Sequence, residues 1–178
     1  MPVNPQIFDD MKTFIGFSAA DVDNLRELAP VFAKHGGTMT DTFYETLGRT
    51  PSTAKQIEGR VSVLKATHAR WMGELFVGEY GEAYMNNRLR IGLAHVRIGL
   101  DPQWVEGVMS YLRVAGQAAI LSEVADTARA SALIGSYLRI LDLDLMLINV
   151  AYAEERLDRL TKFTGMSRKL LENCIRKG

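Results

Sequence analysis

The chain has 178 residues, which is enough for one domain built around a single hydrophobic core. Hydrophobic residues make up 47% of it and charged residues 24%, and 21 basic side chains balance 21 acidic ones. This balance disfavours a nucleic-acid-binding protein that relies on overall basicity, although it leaves room for a local basic patch. The one cysteine, Cys174, excludes an internal disulfide framework and a zinc site built from several thiolates.

The distribution of apolar residues argues against export and against a membrane span. The first residues, MPVNPQIFDDMK, contain no basic region followed by an apolar stretch, so they do not form a secretory signal. The most apolar region, 131–153, is interrupted by Arg139, Asp142 and Asp144. We therefore expect a cytoplasmic protein that has neither a membrane nor a nucleic acid as a partner.

The first half of the chain predicts three helices. Ser18 and Asp21 have the spacing of a helix N-cap, and an apolar stripe follows them. Pro30 is expected to break or kink this helix, so that a second helix follows it. Pro51 disfavours helical geometry in the residue before it and ends the second helix. The third helix is predicted over about 53–76, because its apolar residues recur at increments of four, three and four.

The second half predicts three more helices. The fourth runs over about 82–98, and Asp101 and Pro102 then have the residue types of an N-cap and a first helical position for the fifth. The sixth begins near Asp126 and meets no helix breaker before Gly165. No alternating strand pattern occurs, so the fold class is predicted to be all-α. A last helix of this length needs a covering surface beyond its own globule.

Most motifs that mark an enzyme are missing. The sequence has no P-loop, no dinucleotide-binding glycine pattern and no nucleophile elbow. It also lacks the Glu-x-x-His pair of di-iron bundles and the CxxCH sequence that attaches c-type haem. We therefore assign no catalytic residue and do not expect the chain itself to be an enzyme.

The three histidines differ in their surroundings. His35 lies beside two glycines and is expected at the surface. His68 lies on the apolar stripe of the third predicted helix, and His95 shares a face of the fourth with Ile91 and Ile98. A single histidine on an apolar face is more often a hydrogen-bonded core residue than a ligand.

Two such histidines on consecutive helices make a role as metal ligands more plausible than a single histidine would. His68 and His95 are 27 residues apart, and a glycine-containing turn between their helices could bring both imidazoles to one pocket. Neutral imidazole is a good iron ligand, and a pair without carboxylates or thiolates suits a metal whose other ligands come from a macrocycle. From these residues alone, a haem site and a pair of core histidines both stay open.

A longer motif around His95 resembles a known family. The segment 88–104, RLRIGLAHVRIGLDPQW, is similar to the signature of the globin-coupled sensor and protoglobin family, in which histidine is followed by x-Arg-Ile-Gly-Leu and then by proline and an aromatic residue. The stretch 42–47 is similar to the family's helix with a distal tyrosine, and 64–71 resembles its distal helix. The resemblance covers roughly 5–160 and implies a globin fold with an extra N-terminal helix and a long last helix.

The resemblance implies a set of site residues around haem b (protoporphyrin IX iron). His95 matches the proximal iron ligand, and Tyr44 matches the distal hydroxyl that donates a hydrogen bond to bound O₂. Thr67 and Leu64 match positions over the iron. Further contacts to the cofactor are expected from three apolar residues, Phe43, Ile91 and Ile98.

Two positions depart from the family pattern. His68 stands where the family does not require a histidine, so it is either a sixth iron ligand that O₂ must displace or a hydrogen-bonded core residue. Val105 stands where the family often has tyrosine, which removes any proximal hydrogen bond from that hydroxyl. Three arginines surround the proximal histidine, namely Arg88, Arg90 and Arg97; one of them could pair with a haem propionate, but each singly is expected on the solvated surface.

The resulting expectation is a gas-sensor domain that binds O₂, and also CO or NO, over 1–160. Residues 161–178 are expected to begin a helical linker toward an output domain such as a diguanylate cyclase. The alternative is a stand-alone protoglobin-like haem protein with redox activity on NO or peroxide. A further rival is a helical dimerisation module without any cofactor.

A homodimer through the last two helices is expected from the family resemblance and from excess apolar surface. One row on the last helix is Leu133, Tyr137, Ile140 and Leu141, and a second is Leu138, Leu145, Ile148 and Tyr152. A helix that is apolar around much of its circumference is covered on more than one side. On this hypothesis, a charge at Leu141 or Ile148 would weaken the dimer.

Overall fold

A computed structural model describes residues 4–177 as eight α-helices, with no strand in that range. The helices are α1 Pro5–Phe14, α2 Ala19–Arg49, α3 Pro51–Ile57, α4 Val61–Glu74, α5 Glu82–Arg97, α6 Pro102–Glu123, α7 Thr127–Thr164 and α8 Arg168–Lys177. The predicted all-α class is confirmed. None of these helices, within the described residues, is long and apolar enough to cross a membrane.

The expected break at Pro30 is wrong. α2 is one helix of 31 residues with Pro30 inside it. Leu28 and Phe32, on either side of the proline, are 0% and 4% exposed and pack into the core. Burial of both flanks outweighs the hydrogen bond that proline removes from the helix.

The predicted third helix is in fact two, because the chain turns between α3 and α4. Gly59 has a φ of 69°, a left-handed conformation that residues with a Cβ adopt only at a cost. α3 is therefore a short helix that closes over the end of α2, and α4 begins afresh at Val61. This corner leaves a space beneath it, which is described below.

The limits of the last long helix agree with the prediction. The Asp126 side chain accepts a hydrogen bond of 2.7 Å from the Arg129 backbone N–H, and Gly165 ends α7 in the left-handed conformation with a φ of 70°. α7 packs mainly against α5, α6 and α2. It is thus the central element of the fold.

The apolar rows of α7 are covered largely within the chain, which corrects the expectation that they form a dimer surface. The residues that prove fully or almost fully buried are Leu133, Tyr137, Ile140, Leu141, Ile148 and Tyr152. Leu138 and Leu145 remain half-buried. A charge at Leu141 or Ile148 would therefore enter the core of the domain rather than an exposed contact surface.

α5 approaches α7 at Gly92. A Cβ at this position would lie 2.6 Å from Ala151 Cβ and 2.9 Å from the Ile148 carbonyl oxygen. Only a residue without a side chain allows the two backbones to come so close. The contact sets the position of the α5 turn that carries His95.

Candidate functional site

A cavity separates the main core from a smaller hydrophobic cluster under α3. The smaller cluster contains Phe43, Tyr44 and Ile57. About 1050 Å³ between the two, including the opening to solvent, is free of protein atoms. The lining is Phe43, Tyr44, Leu47, Thr53, Gln56, Ile57, Arg60, Leu64, Thr67, His68, Trp71, Ile91, His95, Ile98, Leu100, Trp104, Val105, Val108, Met109 and Ile148. Such a concave, mostly apolar space is typical of a cofactor site.

The residues proposed from the sequence all line this one cavity. α2 contributes Phe43 and Tyr44, α4 contributes Leu64, Thr67 and His68, and α5 with its C-cap contributes Ile91, His95 and Ile98. His35 lies elsewhere, with its Nε2 2.8 Å from Glu123 Oε1. The helical packing therefore brings the two histidines of the apolar faces together and leaves the third outside.

His95 lies in the last turn of α5. Burial lowers the pKa of its imidazole to about 4, so the ring is neutral at pH 7. Its Nδ1 is buried and has no hydrogen-bond partner among residues 4–177. Val105, which is buried at the cavity wall, brings no hydroxyl to this side. A neutral imidazole with unpaired nitrogen is free to act as a metal ligand.

His68 is held from two directions. Its Nδ1 lies 2.9 Å from the Thr40 hydroxyl, and its ring packs between Phe43 and Trp71 with centroid separations of 5.2 Å to each. Burial lowers its pKa to about 4. Its Nε2 is buried without a partner in the described part of the chain. The imidazole thus keeps one nitrogen that could bind a ligand or a metal.

Tyr44 lies next to His68, with an edge-to-face geometry and ring centroids 6.1 Å apart. Burial raises the pKa of its phenol to about 12. At neutral pH the hydroxyl therefore keeps its proton and can donate a hydrogen bond into the cavity.

Thr67 and Leu64 contribute differently. The Thr67 hydroxyl donates a hydrogen bond of 3.0 Å to the Val63 carbonyl of its own helix. Its proton is therefore already engaged, which weakens the expectation that it assists at the distal side. Leu64 is half-buried and packs against the cluster under α3.

The rim of the cavity contains two polar residues that the sequence did not reveal. Arg60 is the one residue with a formal charge at neutral pH among the described residues that line the cavity. The Gln56 side-chain oxygen is buried there without a hydrogen-bond partner in the described chain. Neither residue has a local signature, since the position of both depends on how the chain turns between α3 and α4.

Arg88 is not at the surface as expected. It is 0% exposed, and its Nε lies 2.9 Å from Oδ2 of Asp144, which is also 0% exposed. Asp144 was missed as well, although a carboxylate three residues after Leu141 and three before Leu147 stands on an apolar helical face. That spacing is the signal that could have identified it.

The side chains present fit a haem. Two neutral imidazoles with unpaired nitrogens face an apolar cavity, and one cation at its rim matches the carboxylates of a macrocycle. No group of three or more His, Cys, Asp or Glu residues in the described range could hold a metal ion without such a macrocycle. The donor set suits iron in a porphyrin.

Two comparisons with known proteins agree with this geometry. Residues 4–158 match the protoglobin family. The structure is similar to the globin domain of the Geobacter sulfurreducens globin-coupled sensor, with a TM-score of 0.78 and 29% sequence identity. The match covers 81% of this chain and 96% of the Geobacter domain.

Proposed function

This chain belongs to the protoglobin family and has the globin fold, and on that premise we propose that it is a haem-based O₂ sensor domain. The observation that carries the proposal is the pair of half-buried, neutral histidines in one apolar cavity, each with a buried nitrogen that has no partner in the described chain. Haem b, when bound, supplies a ferrous iron with an open position for a diatomic gas.

His95 is the proximal ligand in this proposal, and apolar contacts hold the macrocycle. Phe43, Ile91 and Ile98 line the cavity from α2 and from the end of α5. The Arg60 guanidinium offers the rim charge that a propionate requires. Burial keeps the His95 imidazole neutral, so no proton has to leave before the nitrogen coordinates.

Tyr44 selects for polar gases. Its hydroxyl donates a hydrogen bond to a ligand that carries partial negative charge, such as O₂, and offers less to CO. Leu64 fills space beside it, and Thr67, with its hydroxyl bonded within the helix, shapes the wall. His68 competes for the same distal space through its free Nε2. We propose that, in part of the ferrous protein without gas, both His95 and His68 would bind the haem iron.

Gas binding is transmitted through α6 and α7 of a homodimer. Val114 and Leu121 on α6 are 70% and 53% exposed and seven residues apart, and Leu138 and Leu145 on α7 are half-buried at the same spacing. These four residues replace the buried rows as the proposed contact. A gas shifts the dimer only as far as it makes different contacts in the two states.

Residues 1–160 form the sensor, and 161–178 begin the link to an output domain such as a diguanylate cyclase.

The test of the proposal is haem binding by the wild type and by His95→Ala. We expect a red wild-type protein with a strong Soret band and a His95→Ala variant that loses most of its haem, with partial recovery in added imidazole. His35→Ala, outside the cavity, is the matched control and should bind as the wild type does.

Three results would count against the proposal. A colourless wild-type protein would leave a helical module without a cofactor. A full haem complement with an unchanged ferrous spectrum in His95→Ala would remove the proximal assignment. Turnover of NO or peroxide with a supplied reductant would favour a redox protein over a sensor.

A further inference from the structure

A buried ionic cluster beside the cavity has no role in the binding site described above. Asp144 on α7 pairs with Arg88 on α5, and Arg88 also pairs with Glu74 in the last turn of α4. An ion pair removed from water loses solvation energy that its own attraction only partly restores. We therefore expect the cluster to fix the relative positions of α4, α5 and α7 rather than only to stabilise the fold.

The Asp144 carboxylate joins three helices. Its Oδ2 accepts a hydrogen bond of 2.8 Å from the indole Nε1 of Trp71 on α4, and its Oδ1 accepts one from the Tyr84 hydroxyl on α5. Hydrogen bonds to a charged acceptor are the stronger ones, and this acceptor is fully buried. The orientation of the Trp71 ring on α4 is thus set by a residue of α7.

Trp71 in turn contacts the distal histidine. The Trp71 and His68 rings lie 5.2 Å apart between centroids, with 34° between their planes, and both line the cavity. From the other direction, the Thr40 hydroxyl lies 2.9 Å from His68 Nδ1. Removing the Trp71 contact would leave the imidazole held by the Thr40 hydroxyl and by the neighbouring Phe43 and Tyr44 rings, and therefore less firmly.

We propose that Asp144 is a positioning residue for His68. Through its hydrogen bond with Trp71, α7 sets where the imidazole lies in the cavity, and a displacement of His68 reaches α7 through the same bond. Coupling of this kind acts equally in both directions. The inference rests on the proposed haem site and adds to it a physical connection between the distal side and the long helix.

The structure offers a matched pair of variants. Trp71→Phe removes the indole N–H and keeps an aromatic ring against His68. Tyr84→Phe removes the other hydrogen bond to the same carboxylate, but the aromatic neighbours of Tyr84 are Phe8 and Tyr80 rather than His68. Both variants keep the Arg88–Asp144 pair, so a purely structural role would make their effects alike.

The first measurement is CO association with the ferrous protein after flash photolysis, which reports on the distal space. His68→Leu should bind CO faster than the wild type, because no imidazole competes. Trp71→Phe should move the rate toward that of His68→Leu, by about three- to tenfold, because a less well-held imidazole occupies the distal position for less of the time. Tyr84→Phe should leave the rate unchanged, and the double variant with Trp71→Phe and His68→Leu should match His68→Leu alone.

The second measurement follows the Trp71 indole N–H, first without haem and then in the haem-bound protein. The chain has two tryptophans, so the indole N–H signal that disappears in Trp71→Phe is that of Trp71. Hydrogen exchange at this N–H should be slow in the wild type and faster in Asp144→Asn, whose neutral amide is a weaker acceptor. In the haem-bound protein, CO should change this exchange rate in the wild type and leave it unchanged in His68→Leu.

The outcomes separate this inference from the proposed function. If the wild type takes up no haem, the proposed function fails, and the inference fails with it. If haem binds and CO associates with Trp71→Phe at the wild-type rate, or if Tyr84→Phe shifts the rate equally, only the inference is overturned. A His68→Leu rate equal to the wild type's would overturn it too, because His68 would then have no part at the distal side.

Discussion

A histidine in water titrates near neutrality, whereas the two histidines of the cavity do not. Burial lowers the pKa of both His68 and His95 to about 4, so both imidazole rings are neutral at pH 7. The same burial raises the pKa of Tyr44 to about 12 and keeps its proton in place. At the scale of the residue, desolvation thus favours neutral imidazoles and a protonated phenol in the cavity.

Tyr44→Phe tests the donor. A hydrogen bond to a partly charged acceptor contributes about 1.5–3 kcal/mol, so its loss should speed O₂ dissociation by roughly one to two decades. Dissociation of CO, which is much less polar, should change less. The two rates are measured by ligand exchange in a stopped-flow instrument. Equal effects on both gases would mean that Tyr44 acts through its shape.

Arg60→Gln tests whether the charge at the rim of the cavity pairs with a haem propionate. If the guanidinium pairs with a propionate, the variant should transfer haem to an acceptor apoprotein faster than the wild type, by about three- to tenfold for a pair that is partly exposed. Haem dimethyl ester, which has no free carboxylate, should be lost at the same rate from both proteins. Arg70→Gln, within α4, the helix that Arg60 precedes, but outside the cavity lining, is the control. A variant effect that persists with the ester would contradict the pairing.

At the scale of the element, the position of His95 depends on how closely α5 approaches α7. Gly92, one turn before the histidine, lies where a Cβ would be 2.9 Å from the Ile148 carbonyl oxygen. Backbone atoms cannot yield as a flexible side chain can, so the helices would have to separate. The cavity is consequently shaped by a contact between helices that lies outside its own lining.

Gly92→Ala should lower the free energy of unfolding by about 1–3 kcal/mol, as expected when atoms are inserted into a packed contact. Haem affinity should fall with it, because the turn that carries His95 moves. The control is Gly107→Ala in α6, where a Cβ meets no atom within 4 Å and helix propensity favours alanine. Denaturant unfolding and haem titration measure the two effects. A Gly92→Ala protein as stable as the control would show that the helices separate at little cost.

At the scale of the whole molecule, the remaining apolar surface of α6 and α7 is the basis for a dimer. Val114 is 70% exposed and Leu121 53% exposed, whereas Leu141 is fully buried. A buried unpaired charge is far more costly than an exposed one. A charge at Val114 or Leu121 should therefore weaken association, whereas a charge at Leu141 should weaken folding.

We expect the chain to sediment as a dimer at micromolar concentration and Val114→Lys or Leu121→Lys to shift it toward monomer with the helical content unchanged. Val77→Lys, on another exposed part of the surface, should leave the dimer intact. Leu141→Lys should instead reduce the cooperativity and midpoint of unfolding. A wild type that is monomeric at all concentrations would remove the dimer and the proposed route of the signal.

The sequence by itself determined the features whose causes lie within a turn or two of the chain. Asp126 and Gly165 mark the ends of α7 because a cap and a left-handed residue act on neighbouring backbone atoms. The helical class and the apolar faces bearing His68 and His95 follow from periodicity in the same way. The motif around His95 added the family, and together with the stretches 42–47 and 64–71 it supplied the eight candidate residues that line the cavity.

Only the tertiary structure decided what depends on partners distant in sequence. Pro30 stays inside a helix because the core holds both of its flanks, and the rows of α7 are buried because other helices cover them. Arg88 was expected at the surface, and only the packing of α5 against α7 brings its side chain within 2.9 Å of Asp144. Local propensity acts between adjacent residues, whereas burial and pairing are decided by which helix lies opposite, and no window of the sequence contains that information.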